Sequence, residues 1–292
     1  MTYLLFTLGL IGLFVGGESL VRGAAALARR FGLSPMLIGL TIVGFGTSTP
    51  ELLVSVQAAL GGAPAIAIGN VMGSNAANIL LILGVAAVVT PIHISLAQSR
   101  NDLGFMLLAT AGLALTLWGG EVSRLEGAAL VGGMLLFLYT SFRHSPAPAG
   151  AAEDEDGVTA PEPPPLIRSL LITLGGLVIL MVGARLLVDS ATDIARTFGI
   201  SEAVIGLTIV AIGTSLPELA TSLIAAWRKK IDIAVGNTVG SNVFNIFGIL
   251  GITALIAPIP AEARFLTADM PWVAGSALAL VVAAAPTPPP RA

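Results

Sequence analysis

The chain has 292 residues, of which 55% are hydrophobic and only 11% charged, with 34 glycines and a strongly positive mean hydropathy. A soluble globular domain carries roughly 25% charged residues, so this composition excludes one and describes a polytopic membrane protein. The net charge of −3 comes with no basic patch for nucleic acid, and the lack of cysteine removes disulfides, thiolate metal ligands and cysteine nucleophiles.

Apolar runs long enough to cross a hydrocarbon core of roughly 30 Å recur from end to end. The first, 3–26, has no Lys or Arg before Arg22, so it lacks the basic start of a cleaved signal peptide and reads as a retained span. Further spans follow at 33–60, 65–89, 102–119, 125–142, 166–188, 202–227, 233–257 and 265–285. Between the fifth and sixth lies 145–165, rich in Pro, Ala and acid and nearly free of bulky apolar groups, which predicts a solvated linker.

The two sides of that linker repeat one another. GLTIVGFGTSTPELLVSVQAAL (39–60) aligns with GLTIVAIGTSLPELATSLIAAW (206–227), and GNVMGSNAANILLILG (69–84) with GNTVGSNVFNIFGILG (236–251). The offset is 167 in both blocks, with 14 of 22 and 10 of 16 positions identical. It continues upstream through Phe31/Phe198, Gly32/Gly199 and Ser34/Ser201, and downstream to Pro91/Pro258. Shared membrane composition does not place Gly, Thr, Ser, Pro, Glu and Asn in one register, so the chain is a duplication.

Five spans in the first copy start the second copy on the opposite side, which inverts it. With the N-terminus outside, ten Lys and Arg fall on cytoplasmic segments and four outside, in agreement with the positive-inside rule. The expected fold is therefore an all-α polytopic membrane protein of two inverted-topology repeats of five helices, 1–144 and 166–292, joined by a cytoplasmic acidic linker, 145–165. After 265–285 nothing resembles 126–142, so the second copy is expected to lack its last helix.

Within the second span, Thr49-Pro50-Glu51 reads as a helix start, matched by Leu216-Pro217-Glu218. A hydroxyl can cap, Pro needs no donor in the first turn, and the carboxylate meets the positive end of the helix dipole. A span of 28 residues is about 42 Å of helix, more than a bilayer needs, so a break inside it is expected. The repeated motifs carry Glu51, Glu218, Asn78, Asn245, Thr47, Ser48, Thr214, Ser215, Ser74 and Ser241, all oxygen donors, with no His or Cys among them. Such a set suits Ca²⁺ or Na⁺. Ser74 and Asn78, like Ser241 and Asn245, are four apart and share a helix face. Two carboxylates balance one divalent cation, whereas an uncompensated ion in an apolar core is costly.

The neighbouring groups have plainer readings. The glycines of GNVMGSN and GNTVGSN suit small-residue helix packing as well as a ligand role. Asn70, Asn75, Asn237 and Asn242 either bridge helices or join the ligands. Glu18 with Arg22, and Arg185 with Asp189, are expected to form local i,i+4 pairs. His93 and His144 lie outside the repeated blocks.

The paired stretches GTSTPE…GNVMGSNAAN and GTSLPE…GNTVGSNVFN resemble the calcium/cation antiporter superfamily, in particular the prokaryotic sodium/calcium exchangers, over roughly 3–285. The resemblance implies ten helices in inverted halves and a midplane site from the second, third, seventh and eighth. By motif position Glu51, Asn78, Glu218 and Asn245 form a central diamond. Thr47, Ser48, Ser74, Thr214, Ser215 and Ser241 supply hydroxyls, and Gly44 and Ala211 supply carbonyls for flanking Na⁺. It further implies a gate in which the Gly-rich first and sixth helices slide. The position of Asn245 often holds Asp in these exchangers, so this chain has two carboxylates where those have three.

On this resemblance the chain is expected to exchange Ca²⁺ for Na⁺ by alternating access, as a transporter rather than an enzyme, with no cofactor. It would reside in a cell membrane of the bacterial inner-membrane type. A proton/Ca²⁺ antiporter and a passive cation channel stay open at this point, as do H⁺ and K⁺ as further ions and the oligomeric state. An inverted repeat favours alternating access over a pore, and no nucleophile-base pair near the motifs supports an intramembrane enzyme.

Overall fold

The computed structural model describes residues 1–94, 96–144, 164–200, 209 and 211–284. Most of the expected linker, the start of the seventh expected span and the tail after 284 lie outside the described residues. The helices are α1 (Thr2–Phe31), α2 (Pro35–Thr47), α3 (Thr49–Leu60), α4 (Pro64–Val89), α5 (Leu96–Trp118), α6 (Arg124–His144), α7 (Leu166–Thr197), α8 (Leu216–Trp227), α9 (Ile231–Ile256) and α10 (Phe265–Ala283). Among the described residues seven are individually long and apolar enough to cross a membrane, and α2 with α3, bent by 44°, makes an eighth span. The expected span 202–227 is described from Ala211, as a single turn, Ala211–Gly213, followed by α8.

Local chemistry sets the helix ends. Gly32, with φ 62°, closes α1 in the left-handed conformation that glycine adopts without strain, and Arg29 and Arg30 lie in the last turn, where cations complement the dipole. The Ser34 hydroxyl then accepts the Leu37 N–H at 3.1 Å and Pro35 opens α2.

The chain packs as two compact units, Met1–Glu51 with Ser145–Ser241, and Leu52–His144 with Asn242–Ala292. Each takes segments from both copies of the repeat, and the boundaries fall inside α3, after Glu51, and inside α9, after Ser241.

In the first unit α1 and α7 lie against each other along glycines. A Cβ on Gly9 would come 2.7 Å from the Leu187 nitrogen, and one on Gly176 would come 2.6 Å from that of Leu20. Gly16 meets Leu180 and Gly183 meets Leu13 in the same way. The offset of 167 maps Gly9 onto Gly176, Gly16 onto Gly183, Leu13 onto Leu180 and Leu20 onto Leu187, so the seam is twofold. Lipid tails give helices no hydrophobic reason to associate, and close backbone approach supplies dispersion contact instead. The opposite faces carry exposed Leu8, Ile11, Phe14 and Val15 on α1, and Leu171, Leu174, Val178 and Val182 on α7, as lipid contact requires. Glu18 pairs with Arg22 as expected, but also with Arg228 at the end of α8, at 2.8 and 2.9 Å. This carboxylate therefore links two helices. Arg185 and Asp189 keep to a local pair at 3.7 Å.

In the second unit α6 packs on the end of α9, where a Cβ on Gly127 would come 2.8 Å from the Gly251 carbonyl, and Phe247 fills the space beneath Gly133. Two residue pairs, Glu121 with Pro260 and Val122 with Ile259, join the α5–α6 and α9–α10 turns as a short antiparallel ladder.

Replacing Gly176 by Val drives side-chain atoms into the α1 backbone. The expected result is a loss of about 1–3 kcal/mol, seen as a lower thermal-unfolding midpoint in detergent. Gly175→Ala, one residue away where no atom lies within 4 Å, leaves the midpoint unchanged.

Candidate cation site

The break between α2 and α3 falls at Ser48, with φ −87° and ψ 8°, and its repeat mate Ser215 has φ −90° and ψ 6°. Pro50 and Pro217 follow each break and cannot continue the preceding helix, since they lack an N–H and their rings clash with the carbonyl four residues back. The hydroxyls do not cap as expected. Thr49 donates back to the Phe45 carbonyl at 3.1 Å, and Ser215 makes no cap bond. Ser48 has a stronger acceptor and donates to Oε1 of Glu218 at 2.8 Å.

Both carboxylates belong to the first unit. Glu51 is 1% and Glu218 2% exposed. Around them the hydroxyls and one amide hold the backbone. Asn237 donates to the Ser222 hydroxyl at 2.8 Å and to the Glu218 carbonyl at 3.3 Å, while its Oδ1 accepts from Thr47 at 3.2 Å. The Gly44 carbonyl accepts from the Ser48 N–H at 3.1 Å and from the Thr47 and Ser241 hydroxyls at 3.3 Å each. The glycines opposite allow this approach: a Cβ on Gly240 would collide with the Leu40 carbonyl, and one on Gly236 with that of Met36. Here the packing reading of the glycines prevails, whereas Gly73 in the first copy has no atom within 4 Å of its Cβ position. Thr214 is half-buried and Ser215 buried just before α8, and Ala211 opens the turn that leads to them.

The second unit holds Ser74, Asn78 and Asn245, all buried. Ser74 accepts the Asn78 N–H at its carbonyl, one turn back on the same face. Asn78 donates to Oδ1 of Asn242 at 2.9 Å, and Asn245 donates to Oδ1 of Asn75 at 3.0 Å. Asn75 and Asn242 in turn donate to each other's backbone carbonyls, at 3.2 and 3.3 Å. Asn70 bridges to Ser55 at 3.0 Å, the repeat image of Asn237 and Ser222. All four outer amides therefore bridge helices. Widened π-helical turns run over Asn78–Leu83 and Phe244–Leu250, so both site asparagines lie in corresponding irregular backbone, a feature that the sequence reading did not foresee.

In the first unit Oε2 of Glu218, and in the second unit the Oδ1 atoms of Asn78 and Asn245, are among the buried oxygens that accept no hydrogen bond from the described residues. Leaving such acceptors bare in an apolar interior is costly, and a hard cation is the ligand that they fit. No three His, Cys, Asp or Glu side chains cluster among the described residues.

The family model described as sodium/calcium exchanger protein matches residues 1–143 and 168–287. The chain belongs to the sodium/calcium exchanger family. The putative antiporter CaxA of Alkalimonas amylolytica is 40% identical over 277 residues, 94% of this chain and 86% of that protein. Sodium/calcium exchanger MaX1 of Methanosarcina acetivorans is 31% identical over 97% of this chain and 91% of its own length. The solved structure of the sodium-calcium exchanger NCX_Mj, soaked with 2.5 mM Na⁺ and 1 mM Sr²⁺, matches with a TM-score of 0.84 at 35% identity, over 97% of this chain and 90% of that chain. The chain is thus a multi-pass membrane protein with the exchanger fold and its inverted repeats, and a cation/Ca²⁺ antiporter by family.

Asn237→Ala removes three buried bonds around Glu218 and Thr47. Because the groups left behind stay buried, a loss of about 1–3 kcal/mol is expected, measured as a lower unfolding midpoint at constant Na⁺.

Proposed function

We propose that this exchanger moves Ca²⁺ against Na⁺ by alternating access, with Glu51 and Glu218 as the charged ligands. The repeat alignment and the family pattern add Asn78 and Asn245 to the central set. They add Thr47, Ser48, Ser74, Thr214, Ser215 and Ser241, with the carbonyls of Gly44 and Ala211, for flanking Na⁺. The observation that carries the reading is the buried carboxylate pair of the first unit, together with three buried oxygens that accept no hydrogen bond. Two buried negative charges without a cation are costly to carry across a membrane, so crossing is favoured when the site is loaded, either by one Ca²⁺ or by monovalent ions. Ion competition for the same carboxylates then yields exchange. No bond is made or broken, and no cofactor takes part.

A proton-coupled version also has an observation in its favour. Asn245 is neutral, and two carboxylates can take two protons in place of one Ca²⁺. The deciding measurement is Ca²⁺ uptake into proteoliposomes loaded with Na⁺, or with choline under an imposed proton gradient. Uptake is expected to require internal Na⁺ and to fall at least about tenfold in Glu51→Gln and in Glu218→Gln, the effect of losing 1.4 kcal/mol or more of ligation. Uptake sustained by protons alone would assign the counter-ion to H⁺, and flux without any counter-ion would replace exchange by a channel.

The same proposal places the protein in a bacterial-type inner membrane with the N-terminus outside. Because the chain has no cysteine, Glu121→Cys supplies a single thiol at the exposed α5–α6 turn. It is expected to react with a membrane-impermeant maleimide from outside intact cells; labelling only after lysis reverses the orientation.

A further inference from the structure

Four asparagines of the second unit, Asn75, Asn78, Asn242 and Asn245, form a hydrogen-bonded system with a direction. An Asn amide presents an oxygen on one side and an NH₂ on the other, and it can rotate to exchange them. A backbone carbonyl can only accept. Asn242 turns its NH₂ to the Asn75 carbonyl and Asn75 turns its NH₂ to the Asn242 carbonyl, at 3.3 and 3.2 Å. Their Oδ1 atoms must then face the other way, where they accept from Asn78 and Asn245 at 2.9 and 3.0 Å. With those NH₂ groups engaged, the Oδ1 atoms of Asn78 and Asn245 point away from the system, and both are buried oxygens that accept no hydrogen bond from the described residues. All four side chains are at most 2% exposed, so water does not compete for either end.

We propose that Asn75 and Asn242 are positioning residues: anchored on each other's backbone carbonyls, they set the amide polarity of Asn78 and Asn245 so that two oxygens, and not two NH₂ groups, face the transported cation. This rests on the cation reading of those two oxygens. It explains why the outer positions carry amides. An Asp there cannot donate to the carbonyl, and an aliphatic residue can neither donate nor accept. It also gives Asn78 and Asn245 a defined ligand atom without a charge.

A double-mutant cycle tests the assignment, because a carboxylate at position 78 offers oxygen in either orientation and has nothing to be oriented. Ca²⁺ KM for uptake and the Ca²⁺-induced shift of the unfolding midpoint are measured for the parent, Asn242→Ala, Asn78→Asp and the double variant. Asn242→Ala is expected to raise KM about tenfold in the parent, with Vmax held within about twofold, and to change it less than about twofold in the Asn78→Asp background. An equal rise in both backgrounds, or a loss of midpoint with KM unchanged, overturns the proposal in favour of a purely structural bridge. If Asn242→Ala does not fold, the mirror cycle of Asn75→Ala with Asn245→Asp is read by the same criteria. Failure of both alanine variants to fold also assigns a structural role. A parent that takes up no Ca²⁺ under any counter-ion sinks the exchanger reading separately. The cycle is then read from midpoint shifts with Na⁺ and Mn²⁺, and the absence of any cation-induced shift overturns the positioning role too.

Discussion

A polar oxygen surrounded by Val, Ile and Leu has to find a donor or a cation, and much of this chain's architecture follows from that requirement. Each break after a bent helix frees hydroxyls and carbonyls, and neighbouring side chains take most of them. Asn237 secures the backbone at Glu218, Ser48 donates to the same side chain, and the Gly44 carbonyl collects three donors. Among the described residues the buried oxygens left without a hydrogen bond include Oε2 of Glu218 in the first unit and the Oδ1 atoms of Asn78 and Asn245 in the second. Satisfying the surroundings so thoroughly leaves the backbone around each of these groups little freedom to rearrange.

Glycine solves a different problem in the same membrane. Where α1 runs against α7, glycines let backbone approach backbone, with Leu13, Leu20 and Leu180 buried beside them and Ile11, Phe14, Leu171 and Val178 exposed on the opposite faces. The Thr173 hydroxyl fills the space beside Gly23 in the same seam. Glu18 and Arg228 give α1 a polar tie to α8.

The repeat, the helix breaks and the oxygen-donor character of the site were all legible in the sequence, because each depends on residue types at fixed spacing. Glu51 and Glu218 stand out in any hydropathy reading, and Pro50 and Pro217 mark the breaks. What the hydroxyls do there was not legible. Ser48 was expected only as one of the oxygen donors, yet it donates to a carboxylate 170 residues away, and residue spacing along one segment cannot show an acceptor contributed by another helix. The widened turns at Asn78 and Phe244 were equally hidden, since their residues have ordinary helical spacing. Ser55 and Ser222 could have been found: they share the 167-residue offset, and their partners Asn70 and Asn237 share it too.

The asparagine system also bears on how such a molecule can arise. Asn75 belongs to the first copy of the repeat and reads a carbonyl of the second, and Asn242 does the reverse, the reciprocity of an isologous contact between two subunits. A lone copy of the repeat therefore contains both asparagines but not the carbonyl that orients the outer one. The smallest assembly able to aim its own amide oxygens is a pair of oppositely inserted copies, on two polypeptides or on one. Gene fusion would add no new chemistry to such a pair; it would make permanent a dimer whose halves already needed each other.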